Sequence, residues 1–232
     1  MTVIKYTPNV GQKFNKDRSV RPFAGNTIIC FVDPEQHSTI YNEAVWAQTQ
    51  LLRMSCAHKF AFLPPSSFHM TVIEGLNDQG REPERWTSQL PLNASLNEMD
   101  RFLIDKCDQI TFPEGFEIGF DKMKFPATIA VQPANETSHT AIWQFRNQIA
   151  DLTGIRRSDF EEYKFHITLG YNLIELEPDE VAEQSEVFQR IDERLSQTFG
   201  VFKTASPLPT FFDDMAKFVP AAERFNLNSR QK

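Results

Sequence analysis

Histidine is scarce in this chain, five among 232 residues, yet two of them sit in nearly the same frame. "FHMTV" spans Phe68 to Val72, and "FHITL" spans Phe165 to Leu169. On an extended strand, side chains alternate between the two faces. Phe68, Met70 and Val72 then share one face, and Ser67, His69 and Thr71 the other. In the second frame Phe165, Ile167, Leu169 and Tyr171 point one way, while Lys164, His166 and Thr168 point the other. Each strand offers an apolar face to a core and a polar face on which His and Thr stand ~6–7 Å apart. Two imidazoles with ordinary pKa values near ~6.5 can serve as base and acid at neutral pH. Two hydroxyls can donate hydrogen bonds to non-bridging phosphate oxygens. This is a metal-free set for phosphodiester cleavage: one imidazole takes a proton from water or a ribose hydroxyl, and the other protonates the leaving oxygen. The Thr pair and a nearby cation would stabilise charge on phosphorus.

The three-letter pattern alone is cheap. His37-Ser38-Thr39 also has a Thr two places after a His, in a polar turn after "DPEQ", and no function is assigned to it. A single copy reads as an ordinary half-exposed strand. Two copies in matching apolar frames point to two polar pairs that meet across one cleft. The candidate catalytic residues are therefore His69, Thr71, His166 and Thr168. Lys164 and Ser67, each two places before a motif histidine, are the candidate substrate contacts. Tyr163 and Tyr171 read as core or rim, and His58 and His139 as surface residues.

The elements that must position these residues can be read in order. Asn26–Val32 is short, apolar and β-branched, as a buried strand is. Ser38–Ser55 has helical spacing with Ser38 as its N-cap. The first histidine strand runs over about Ser67–Ile73, after the "LPPSS" turn, and the polar Leu76–Asn93 segment reads as a surface loop. Ser95 and Glu98 form a capping box ahead of an amphipathic helix through Ile110. A strand pair, about Phe116–Met123 and Thr128–Gln132, turns at Phe125 and Pro126. A third helix carries Ile142, Phe145, Ile149 and Leu152 inward and stops at Gly154. The second histidine strand covers about Tyr163–Tyr171. A fourth helix, from near Pro178 to Phe199, places Val181, Phe188, Ile191, Leu195 and Phe199 inward. Strands near Val201–Lys203 and Thr210–Phe218 close the chain. The order strand, helix, histidine strand, helix, strand occurs twice, with Ile29 to His69 and Ile129 to His166 separated by 40 and 37 positions.

Composition bounds the function. Hydrophobic residues make up 41% and charged residues 24%, which fits an ordinary globular chain. No apolar run reaches the ~20 residues of a membrane span, and the N-terminus lacks a signal-peptide pattern. Three dispersed cysteines argue against a disulfide framework or thiolate metal site and fit a reducing cytoplasm. The net charge of −7, without a basic stripe, argues against long duplex nucleic acid but leaves room for a small phosphate substrate.

With these residues in view, the sequence resembles the two-histidine (2H) phosphoesterase superfamily, whose signature is a pair of His-x-Thr/Ser motifs with apolar flanks. The resemblance runs from about Phe23 to Phe218. It implies an α+β, bilobal, duplicated fold: two antiparallel sheets related by a pseudo-twofold axis, helices outside, and the active-site cleft between the lobes. The domain expected is 23–220, with halves of about 23–123 and 126–220, an irregular N-terminal arm over 1–22 and a C-terminal tail over 221–232. It also implies a cyclic phosphodiesterase opening a 2′,3′-cyclic or ADP-ribose-type cyclic phosphate of a nucleotide or short RNA end. No cofactor or metal is expected, and the chain is read as a cytoplasmic monomer. The alternative is a non-catalytic nucleotide-binding module using the same cleft. "FAGNT" (Phe23 to Thr27) and "FDDMAKF" (Phe212 to Phe218) depart from the pattern of well-studied members and place the chain on a separate branch.

Overall fold

The computed structural model describes residues 4–224. Its strands are β1 (Gly25–Phe31), β2 (Phe60–Phe62), β3 (His69–Asn77), β4 (Glu117–Lys124), β5 (Ala127–Pro133), β6 (His166–Asn172), β7 (Val201–Lys203), β8 (Leu208–Asp214) and β9 (Lys217–Pro220). The main helices are α1 (Ser38–Leu51), α2 (Leu96–Cys107), α3 (Glu136–Thr153) and α4 (Pro178–Thr198). The architecture is α+β: a curled antiparallel half-barrel carrying helices, with strand order β7-β4-β5-β6-β3-β1-β8-β9 and β2 added on β6. The two sheets expected are instead one, because β3 and β6 join through the pairing of Met70 with Ile167. That junction puts the two histidine strands side by side at the centre, with β5 and β1 as their outer neighbours.

The main core lies on the helix side of the sheet. Phe68, Met70, Val72, Phe165, Ile167 and Leu169 are all buried there, as their alternation predicts, against residues such as Ala44, Leu51, Ile142, Phe145, Ile191 and Leu195. Burying side chains of this size is worth about 1.5–3 kcal/mol each, which anchors both histidine strands from behind.

Several boundaries differ from expectation for local reasons. His37, not Ser38, is the N-cap of α1, and its ring Nδ1 accepts the Asp33 amide N–H at 3.2 Å. In the lookalike motif only His37 is buried, while Ser38 and Thr39 are exposed at the start of α1; Asp33 Oδ1 also accepts the amides of Glu35 and Gln36 in the turn before it. The capping box of Ser95 and Glu98 is present on α2, and α3 ends on Gly154 at φ 69°, where a residue with a Cβ would be strained. Val181 is 48% exposed rather than inward; it lies in the first turn of α4, and Gln184, donating to the Pro126 carbonyl at 2.7 Å, is the first inward residue. The single closing strand expected over Thr210–Phe218 is the hairpin β8–β9, where Asp214 Oδ1 accepts the Ala216 amide N–H at 2.7 Å. The loop after β3 is anchored, with Trp86 buried beside Leu76, Met99 and Ile155. Residues 4–22 have little regular structure but pack on the sheet, burying Phe14 with Leu63 and Leu173. The tail expected over 221–232 lies outside the described residues from 225 onward. Among the described residues no helix is long and apolar enough to cross a membrane.

Candidate active site

The antiparallel pairing of Met70 with Ile167 sets His69 beside Thr168, and Thr71 beside His166. The four residues form a square patch with the histidines on one diagonal. All four line one cavity of about 980 Å³ on the face of the sheet away from the helix-side core. Both histidine strands start at the histidine itself. Ser67 lies in a preceding 3₁₀ turn, Pro65–Ser67, and Lys164 precedes β6.

The two imidazoles are held identically. His69 Nδ1 lies 2.6 Å from the Ser67 carbonyl oxygen, and His166 Nδ1 lies 2.8 Å from the Lys164 carbonyl oxygen. A carbonyl oxygen only accepts, so Nδ1 carries the proton in each ring. The neutral ring then keeps its lone pair on Nε2, as a general base requires. His69 is packed against Phe218, with ring centroids 4.2 Å apart. Burial pushes its pKa down to about 4; the hydrogen bond to Ser67 opposes this and the nearby His166 adds to it. His69 is therefore neutral across the physiological range.

Each motif is followed by a β-bulge. Ile28 and Ile29 pair with Ile73 and Thr71, leaving Val72 as the extra residue of β3. Ala127 and Thr128 pair with Gly170 and Thr168, leaving Leu169 as the extra residue of β6. A bulge shifts the alternation by one place. Glu74 and Tyr171, each five positions after a motif histidine, consequently line the cavity. Strict alternation had put Tyr171 on the core face with Leu169.

The cavity holds the candidate catalytic residues together with Lys164, whose side chain is exposed at its rim. Ser67 is not brought in: its side chain is buried and donates to the Pro64 carbonyl at 2.8 Å. Its contribution is the backbone carbonyl that orients His69. Further residues outside the candidate set line the cavity, among them Tyr163, read from sequence as core or rim. Lys13 arrives from the N-terminal segment, and its ammonium stands 4.7 Å above the Tyr171 ring centroid and 5.2 Å from that of Phe23. Arg157 pairs with Glu74 at 2.9 Å and donates to the Gly75 carbonyl at 3.1 Å. Tyr163 lines the cavity beside Thr71, and burial raises its pKa. Phe125, 59% exposed on the β4–β5 turn, stands at the mouth. Among the described residues no group of three or more His, Cys, Asp or Glu side chains is placed to hold a metal ion.

Comparison with known proteins adds two findings. A solved structure described as a conserved protein of unknown function, ATU0111 from Agrobacterium tumefaciens str. C58, is 26% identical with a TM-score of 0.86, covering 93% of this chain and 92% of that one. No curated protein matches. The family model described as 2H-phosphodiest, domain of unknown function (DUF1868), matches residues 13–128. The match takes in Lys13, His69 and Thr71 and ends before β6. Spanning half of the chain, it shows that this protein belongs to the 2H-phosphodiest (DUF1868) family and is 2H phosphodiesterase-like.

Proposed function

We propose that the protein is a metal-independent phosphoesterase that opens the 2′,3′-cyclic phosphate of a nucleotide or short RNA end by acid–base catalysis between His69 and His166. One observation carries the reading. Both imidazoles have Nδ1 tied to the carbonyl two residues upstream, so both leave Nε2 as the working atom in the cavity shared with Thr71 and Thr168.

In the reaction, neutral His69 accepts a proton from the attacking water through Nε2. The water oxygen bonds to phosphorus, and one ring P–O bond breaks. His166, entering as the imidazolium, gives its proton to the departing ribose oxygen. Thr71 and Thr168 donate to the non-bridging oxygens as charge builds on phosphorus. The two polar pairs act as counterparts from the two halves of the chain, in keeping with a duplicated origin. His69 takes the base role because burial against Phe218 favours its neutral form.

The test is turnover of nucleoside 2′,3′-cyclic phosphates with product isomers identified, with and without EDTA. Conversion to a single monophosphate isomer, unchanged by EDTA, is expected. Tight binding with the ligand recovered intact would instead support a nucleotide-binding module. Activity lost to chelator and restored by zinc would overturn metal independence.

A further inference from the structure

We infer that Lys13 receives a second phosphoryl group of the substrate, beyond the one held between the motif residues. The inference rests on the reading above and extends it to a subsite built by the N-terminal segment. On the cavity side of β6, His166, Thr168 and Tyr171 succeed one another because of the bulge at Leu169. The Lys13 ammonium stands over Tyr171, one register step past Thr168.

That position is built rather than incidental. The Thr7 amide N–H donates to the Leu173 carbonyl at 2.9 Å and its hydroxyl to the Asn172 carbonyl at 2.7 Å. Phe14, next to Lys13, is buried with its ring 5.3 Å from that of Tyr171. The stem of Lys13 is fixed, yet its ammonium has no hydrogen bond or ion pair among the described residues. Glu74, the acid whose field reaches it, already has its carboxylate on Arg157 at 2.9 Å. Burial pulls the Lys13 pKa down, so the charge is held in partly desolvated surroundings. The other cations of the cavity without an ion pair among the described residues, Arg85, Lys124 and Lys164, are exposed. A half-buried, unpaired ammonium is suited to an anion, and Lys binds phosphate as a point charge. The cavity of about 980 Å³ is at the upper end of the ~300–1,000 Å³ usual for small-molecule sites, leaving room beyond one phosphate.

Three compounds separate the sources of that group: a nucleoside 2′,3′-cyclic phosphate, the same compound bearing a 5′-phosphate, and a dinucleotide ending in the cyclic phosphate with a free 5′-hydroxyl. The wild-type protein is expected to favour one or both of the latter in kcat/KM by about tenfold or more, the scale of a charge-assisted hydrogen bond. Preference for the second compound alone assigns a 5′-phosphate; preference for the third assigns the internucleotide phosphate. Lys13→Met, which keeps the aliphatic stem over the rings, should lose the preference while still cleaving the simple cyclic phosphate. Lys13→Arg should retain it. Equal efficiency of the wild type on all three compounds, or a preference that survives Lys13→Met, overturns the inference while the proposed function stands. Failure of the wild type on all three overturns both.

Discussion

Gln48 of α1 and Arg146 of α3 perform the same task on opposite histidine strands. Gln48 Nε2 donates to the carbonyls of Leu63 at 2.8 Å and Leu169 at 2.9 Å. Arg146 donates to the carbonyls of Val72 and Phe160, the latter at 2.9 Å. Leu63 and Phe160 each lie six places before a motif histidine, and Val72 and Leu169 each three after one. Each helix thus ties the approach to its own half's histidine to the bulge in the other half's strand. Removing a donor exposes buried carbonyls at a cost of about 1–3 kcal/mol per group left unpaired. Gln48→Leu and Arg146→Leu should each lower the urea midpoint of unfolding. An unchanged midpoint in either variant would show that the bond does not hold the strand.

The diagonal placement of His69 and His166 predicts that neither substitutes for the other. His69→Ala and His166→Ala should each reduce kcat/KM on a cyclic phosphate by on the order of 10²–10⁴-fold. Thr71→Val and Thr168→Val should act in the same direction, by about 10–10³-fold, as lost donors to the developing charge. Steady-state kinetics decide this, and wild-type rates in both histidine variants would end the acid–base assignment.

The legible part of this site is what a period of two can encode. The alternation of Phe68, Met70 and Val72 with His69 and Thr71 holds because it runs up to the bulge residue Val72 and the faces invert only after it. Strict alternation assigns Tyr171 to the wrong face because the extra residue at Leu169 inverts the faces after it, and nothing in "HITLGY" marks the inversion beyond Gly170. A Cβ on Gly170 would come within 3.0 Å of the Ala61 carbonyl oxygen, so the glycine reflects β2 pressing on β6 rather than a local turn. Lys13 was invisible for a different reason. It reaches Tyr171 from 158 positions away in sequence, and a polar segment without periodicity gives no sign of where it docks. The single sheet was likewise hidden, since it depends on one long-range pairing, Met70 with Ile167.

The capping box on α2 was legible and supplies a control. Ser95 Oγ accepts the Glu98 amide N–H at 3.3 Å, while Glu98 Oε2 accepts the Ser95 amide N–H at 2.7 Å. Ser95→Ala should cost about 0.5–2 kcal/mol of stability. Neither residue lines the cavity, so kcat/KM of the folded variant should match the wild type. A loss of turnover at temperatures where the variant is folded would show that α2 governs the site.

Burial of His69 makes a signed prediction about acid stability. Its folded pKa, about 4, lies below the ~6.5 of an unfolded histidine. Between these values the unfolded chain binds the extra proton, so stability is full at neutral pH and falls as pH drops through that window. His69→Gln removes this contribution. Unfolding free energies measured from pH 7 to 4 should decline less steeply in the variant than in the wild type, and parallel curves would contradict the shift.

Phe218 supplies the test of what depresses that pKa. Its ring lies 4.2 Å from that of His69 and 5.1 Å from that of Phe212, so β9 covers the imidazole with hydrocarbon. Desolvation disfavours the charged ring, and admitting water should relieve it. Phe218→Ala should raise the His69 pKa toward ~6.5 and carry the acid limb of kcat/KM upward with it. Phe218→Leu keeps an apolar cover, so its limb should stay near that of the wild type. The alanine variant also loses packing, on the order of 1–3 kcal/mol for a half-buried ring, so rates are to be compared where both variants are folded. NMR titration of the His69 ring reads the pKa without turnover. A limb and a titration that stay fixed in Phe218→Ala would place the cause of the low pKa elsewhere in the cavity and withdraw the hydrocarbon cover from the account of His69 as base.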